Sequence, residues 1–117
     1  MQVTSRPISS GRIPLAFGAS DTTKTFSLKG LRGTLQTILY EQYDTTNDVT
    51  GTVAITDENS KTLFSKASLT DATATLIQVL TDEAKIVAFE GRNKTLTVTL
   101  NGAPGNAGTV YVTLMLS

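Results

Sequence analysis

The amino-acid sequence predicts an all-β protein: an antiparallel β-sandwich or jelly roll of about seven to eight strands with an extended N-terminal arm. Three observations lead there. Thr occupies 21 of the 117 positions, and a β-branched residue loses side-chain freedom in a helix but suits a half-exposed sheet face. The chain closes on two runs, "TLTVTL" and "TVYVTLML", that alternate apolar and polar residues with period two. Turn-forming clusters of Gly, Pro, Asn, Asp and Ser recur at intervals of roughly 8–12 residues, the spacing of short strands in sandwiches.

Residues 1–20 do not alternate. Pro7 and Pro14 hold Arg6 and Ile13 extended, and Ile8, Ile13, Leu15 and Phe17 are apolar without period. This describes an arm, with a single sandwich domain over 21–117. In "KTFSLKG", Phe26 and Leu28 share one face, and "GTLQTILYEQY" is a longer strand bounded by Gly33 and by "DTTND". "GTVAITDENSKTLFSK" reads as a hairpin: Val53 and Ile55 alternate with Thr52, Ala54 and Thr56, the polar "DENS" turns the chain, and Leu63 with Phe64 returns it.

The segment 70–84 fits two patterns. Leu69, Ala72, Leu76, Val79 and Leu80 have helical spacing, whereas Thr73, Thr75, Ile77 and Val79 line one face of a strand. The β-branched residues and the all-β surroundings favour the strand, with a single turn at "TDEA". "KIVAFEG" is a short apolar run, and "EGRNK" turns into the closing pair of strands. That pair, facing across the polar loop "NGAPGNAG", reads as a hairpin, with Leu96, Val98 and Leu100, then Val110, Val112, Leu114 and Leu116, on the inward side. The alternation reaches Leu116, so the final strand is expected to be tied into the sheet, its Thr-lined side covered by water or by a neighbour.

Charged residues make up only 17% of the chain, and the net charge is zero, so little electrostatic repulsion opposes association. The charge is unevenly placed. Residues 1–33 hold five basic residues against Asp21, and residues 34–117 hold five basic against nine acidic. No apolar run approaches the ~18 residues of a membrane-spanning helix, and the opening "MQVTSRPISSGRIPLAFG" lacks the apolar core of a signal peptide. The expectation is a chain made and used without export by the general secretory route, with no membrane partner.

The inventory points away from catalysis. There is no Cys and no His, which removes Ser-His and Cys-His nucleophile pairs and His-bound metals. The carboxylates sit in turns, and seven aromatics without a Trp are a poor wall for a sugar cleft. "DTTND" and "DENS" lack the spaced ligands and Gly of a calcium loop and read as turns, whose local hydrogen bonding favours these residues. "GLRG" lacks the spacing and the Lys-Ser/Thr of a phosphate-binding loop. The basic residues lie away from Tyr40, Tyr43 and Tyr111, against single-stranded nucleic-acid binding. No cofactor and no metal is expected.

Three stretches resemble the small all-β accessory proteins of tailed-phage virions: the proline-containing first twenty residues, "GTVAITDENSKTLF", and "AFEGRNKTLTVTLNGAPGNAGTVYVTLMLS". The resemblance is to decoration or cement proteins that bind outside an assembled head shell. It implies a non-enzymatic virion structural protein, assembled in the host cytoplasm. The implied partners are the major capsid protein or other virion subunits, and further copies of the chain in a trimer or dimer. Candidate partner-binding residues are those of the arm: Arg6, Ile8, Arg12, Ile13, Leu15 and Phe17. Two alternatives stand beside this reading. One is a sugar- or receptor-binding sandwich using Tyr40, Tyr43 and "DTTND"; the other is a neck or tail position in the virion.

Overall fold

The two closing runs are strands with the inward faces that their alternation predicts, but they are not the hairpin expected of them: Lys94–Leu100 and Gly108–Leu116 lie in different sheets, and the loop between them crosses from one sheet to the other. In the computed structural model, which describes residues 8–117, there are nine strands and two antiparallel sheets. They are β1 (Ile8–Phe17), β2 (Thr23–Leu28), β3 (Arg32–Glu41), β4 (Gly51–Thr56), β5 (Thr62–Leu69), β6 (Ala74–Gln78), β7 (Ala88–Glu90), β8 (Lys94–Leu100) and β9 (Gly108–Leu116). The first sheet runs β1-β9-β3-β6, with the short β7 also paired to β3 beyond the stretch that β6 occupies. The second runs β2-β8-β4-β5.

The pairings β1 with β9, β2 with β8, β3 with β6 and β4 with β5 nest like one long folded hairpin. Rolling that hairpin brings β9 beside β3 and β8 beside β4. This is jelly-roll topology, and β7 is an addition to its eight strands. The inward faces of the two sheets close a single core: Leu35, Ile38, Tyr40, Val53, Ile55, Leu96, Val98, Val110, Val112, Leu114 and Leu116 are sealed from water. Ser117 and Thr34 exchange backbone hydrogen bonds of 3.0 and 2.8 Å, which fasten the end of β9 to β3.

The first strand corrects the expectation of an arm at residues 1–20. Ile8–Phe17 is the edge strand of the first sheet, and Ile13, Leu15 and Phe17 point into the core. Their spacing is period two. It is out of phase with Ile8 because the register with β9 slips between Ser9 and Arg12, where Gly11 takes φ +75°. Such a bulge adds a residue to one strand and reverses which side the following residues face. The sandwich therefore begins within the segment read as an arm, not at residue 21. Arg6 lies outside the described residues.

Two smaller points follow the same logic. Residues 74–78 are strand, with Ile77 and Val79 buried, and "TDEA" forms a turn in which Asp82 and Glu83 both donate to the Gln78 carbonyl. Phe26 shares the face of Leu28, but β2 is an edge strand and Phe26 remains 40% exposed. Antiparallel order fixes the ends of the molecule. Loops 18–22, 42–50, 70–73 and 101–107 gather at one end, and 29–31, 57–61, 79–87 and 91–93 at the other.

Candidate interaction surfaces

Alternation that sends Val53, Ile55, Leu96 and Val98 inward sends their neighbours outward, and strand register lines those neighbours up. Across the outer face of the second sheet run three rows: Thr23-Thr99-Thr52, Thr25-Thr97-Ala54 and Ser27-Thr95-Thr56. All nine positions are Thr, Ser or Ala. Ser65 of β5 extends the middle row. No charged side chain interrupts this field on β2, β8 and β4. Covering a hydroxyl that finds a hydrogen-bond partner costs far less than covering a charge, and interface cores are marked by depletion of charge rather than by raw hydrophobicity.

The outer face of the first sheet is different in kind. Arg12 (β1), Tyr111 (β9) and Glu41 (β3) lie side by side, since Glu41 is opposite Tyr111 and Tyr111 opposite Pro14. The Arg12 guanidinium sits 3.5 Å from the centroid of the Tyr111 ring and donates to Glu41 Oε1 and Oε2 at 3.2 and 3.3 Å. A groove of about 270 Å³ adjoins this stack, bounded by Tyr43, Thr73 and Thr109. Arg12, one of the candidate partner-binding residues, is thus paired within this chain. With Ile13, Leu15 and Phe17 in the core, Ile8 is the one apolar residue of the candidate set left open, at 43% exposure.

One end of the molecule is acidic. Its four loops carry Asp21, Asp44, Asp48 and Asp71 and no Lys or Arg. Carboxylate oxygens of Asp44, Asp48 and Asp71 lie within 4.8 Å of one another. Three carboxylates so placed are the donor set of a hard cation, but Asp71 is already committed. Its Oδ1 accepts from Thr45 N (2.9 Å), Thr45 Oγ1 (2.6 Å) and Gln42 Nε2 (3.2 Å). Gln42 also donates to the Val49 carbonyl and accepts from the Tyr40 hydroxyl, and Thr45 Oγ1 accepts from Val49 N.

Asp71 is therefore the peg on which loop 42–50 hangs. Burial works against its charge, but the hydrogen bonds from Thr45 and Gln42 outweigh it and hold the carboxyl below its usual range. The phenol of Tyr40 is pushed well up, by burial first and by the Asp71 charge second. Tyr40 has no open surface, and an added Cβ at Gly51 would collide with its hydroxyl. Of the two tyrosines considered for sugar binding, only Tyr43 reaches the surface, where its hydroxyl donates to the Asn106 carbonyl at 3.0 Å.

Sequence reading placed "DTTND" and "DENS" in turns, and both are turns. In the second, Asp57 Oδ1 accepts from the backbone of Asn59 and Lys61, each at 2.9 Å. It missed Asp71, which no spacing rule connects to loop 42–50; the β5–β6 turn carries it there. It saw the Thr-lined side of "TLTVTL" but not the nine-position hydroxyl face, whose rows across β2, β8 and β4 depend on register. At the opposite end, a cleft of about 310 Å³ lies among Asp57, Glu58, Arg92 and Lys94, with Ile86 beside it at 79% exposure.

No family model and no curated protein sequence matches the chain. Among solved structures it is similar to one of the infectious bursal disease virus Gx strain, at 12% identity and a TM-score of 0.34, over 92% of this chain and 33% of that one. A second is that of T=1 particles derived from infectious bursal virus, at 12% identity and a TM-score of 0.26, over 92% of this chain and 32% of that one. The chain thus spans about a third of the length of either.

Proposed function

We propose that this chain is a non-enzymatic structural protein of a virion, a head decoration or cement protein that acts as an oligomer by covering joints between shell subunits. The observation that carries the reading is the uncharged Thr/Ser/Ala face of the second sheet, presented on a jelly roll. Jelly rolls recur in viral capsid and lectin domains. The step from fold to role is by analogy, and the face supplies the physical part of the argument. Each contact is worth little. Many copies arrayed on one shell add modest buried areas, at about 25 cal/mol per Å² of apolar surface, and multivalent attachment multiplies them.

On this reading attachment falls on the sheet face rather than on the first strand. Ile13, Leu15 and Phe17 are used inside the sandwich, so the contact moves from the arm to the sheet face. Quantitative mass spectrometry of purified virions tests the role. Copy number in proportion to the shell subunits supports it. A handful of copies relocates the protein to the neck or tail, and none at all overturns the reading. The face is tested separately by Thr97→Lys, at the centre of the middle row. Lost binding to shells with unchanged melting of the free protein is expected; normal binding removes the face from the interface. The sugar-binding alternative loses Tyr40 and keeps Tyr43 with the aspartate loops.

A further inference from the structure

A jelly roll has four open strand edges, and they are not equally protected. β1 carries Pro14, which lacks a backbone donor, and the bulge at Gly11, two devices that discourage pairing at an edge. β5 slips register twice against β4, and Ser68 within it takes φ +61°. β6 is five residues long. β2 has none of these defences. It runs six residues in unbroken register with β8, contains no Pro or Gly, and its one charge, Lys24, is held by Asp21 at 3.2 Å.

The outward backbone groups of β2 can be assigned. Leu100 N donates to the Thr22 carbonyl at 2.7 Å, so Thr22 faces β8. By antiparallel alternation Lys24, Phe26 and Leu28 also face β8, and Thr23, Thr25 and Ser27 turn their N–H and C=O groups to the open side. Beside this edge lies an apolar cleft of about 230 Å³, lined by Ile13, Phe26, Leu28 and Leu31.

We infer that β2 pairs antiparallel with β2 of a second copy across a two-fold axis at Thr25, joining the two four-stranded sheets into one of eight strands. That register places Thr23 opposite Ser27 of the other copy and Thr25 opposite itself. All the outward N–H and C=O groups of Thr23, Thr25 and Ser27 are then satisfied. The same register sets Asp21 of each copy against Lys29 of the other. Lys29 forms no salt bridge among the described residues. It also sets Lys24 against the exposed ring of Phe26, in the cross-strand position where a cation and an aromatic face attract. Backbone parity, charge and the apolar ring agree on one register, which is what an isologous interface requires. The joined sheet doubles the uncharged hydroxyl face. This pairing goes beyond the virion reading and holds with or without a shell.

Three variants test it. The natural chain has no Cys, so Thr25→Cys puts a single thiol on each copy, opposite its mate at a Cα separation of about 5.5 Å that suits a disulfide. Mild oxidation should link Thr25→Cys into a covalent dimer and leave Thr99→Cys, one strand inward, unlinked. Light scattering across a concentration series should give a dimer for the natural chain. Thr25→Pro removes an outward donor at an edge, where proline is tolerated, and should give a monomer that melts like the natural chain diluted below its dimerisation range. Lys29→Glu sets two acidic pairs against each other and should weaken the dimer at least tenfold at low salt. A natural chain monomeric at every concentration overturns the pairing. So does a dimer that Lys29→Glu leaves intact while Thr25→Cys fails to cross-link. Absence from virions with an intact dimer would overturn the virion reading alone.

Discussion

Strands β9 and β1 are partners along most of their length and make opposite demands on their sequences. β9 is flanked on both sides, by β1 and β3, and its inward residues Val110, Val112, Leu114 and Leu116 have no exposure at all. β1 is flanked on one side only, and it tolerates Pro14, a bulge at Gly11 and an open Ile8. Yet from Ile13 onward its inward side chains are buried almost as deeply as those of β9. Burial depth and backbone constraint are therefore separable within one sheet: β1 shares the first with β9 and lacks the second.

Proline separates them most strongly. Thr113 lies between Arg12 of β1 and Leu39 of β3, so its N–H is needed whichever side it faces. Thr113→Pro removes a ladder bond and adds a ring clash in a central strand, a cost of about 3 kcal/mol or more. The expected outcome is loss of cooperative thermal unfolding, whereas the natural Pro14 is accommodated one strand away. If Thr113→Pro melts like the natural chain, β9 is not a central strand.

Side-chain truncation should erase the contrast. Phe17→Ala in β1 and Leu114→Ala in β9 should cost about 3–5 and 2–5 kcal/mol, the ranges for buried Phe and Leu, read from denaturant midpoints. A cost under about 1 kcal/mol at Phe17 would restore β1 as an arm resting loosely on the body.

This contrast also explains what was legible. The period of two in β4, β8 and β9 is uninterrupted, so the inward residues and the all-β class could be read directly. β1 carries the same signal in Ile13, Leu15 and Phe17, but the bulge at Gly11 puts Ile8 out of phase, and the two prolines mimic an unstructured arm. A glycine with positive φ in an edge strand is the feature that sequence pattern alone does not announce. The hydroxyl face was half visible: its columns are in the sequence, but its rows depend on register. The Asp71 peg was not visible at all, because its partners lie some 26 residues away and meet it through topology.

Acid should loosen the end where Asp71 holds loop 42–50, while leaving the β1–β9 ladder alone. The folded carboxyl titrates below its ordinary value of 3.8. Its contribution is thus fully present above that value and is lost as pH falls through the lower, folded one. Melting followed downward from pH 7 should fall in that acid range. Asp71→Asn, which keeps an acceptor oxygen but cannot titrate, should be less stable at pH 7 and show a shallower acid decline. An identical pH profile for both chains would mean that the Asp71 charge does not hold the loop.

The bulge itself gives a smaller effect. Gly11 has φ +75°, and a Cβ added there would meet nothing within 4 Å. Gly11→Ala therefore costs only the left-handed backbone strain, about 1 kcal/mol, partly offset by the reduced freedom of the unfolded chain. A large loss would mean that the bulge is packed rather than open.

The smallest effect belongs to the feature that looks strongest by geometry. Arg12 pairs with Glu41 and stacks on Tyr111, but its side chain is 56% exposed. Exposed pairs gain little over water, and holding a long side chain in place costs entropy, so Arg12→Ala should lower stability by less than about 1 kcal/mol. Stacking adds a comparable amount at an exposed site, about 0.5–1 kcal/mol. Raising the ionic strength should shrink the ion-pair part and leave the stacking part, so a double-mutant cycle of Arg12→Ala with Glu41→Ala at low and high salt separates them. A coupling of several kcal/mol that ignores salt would mean the pair is shielded from water, as it would be if another copy or a shell subunit covered this face. That result would move the main interface from the hydroxyl face of the second sheet to the outer face of the first.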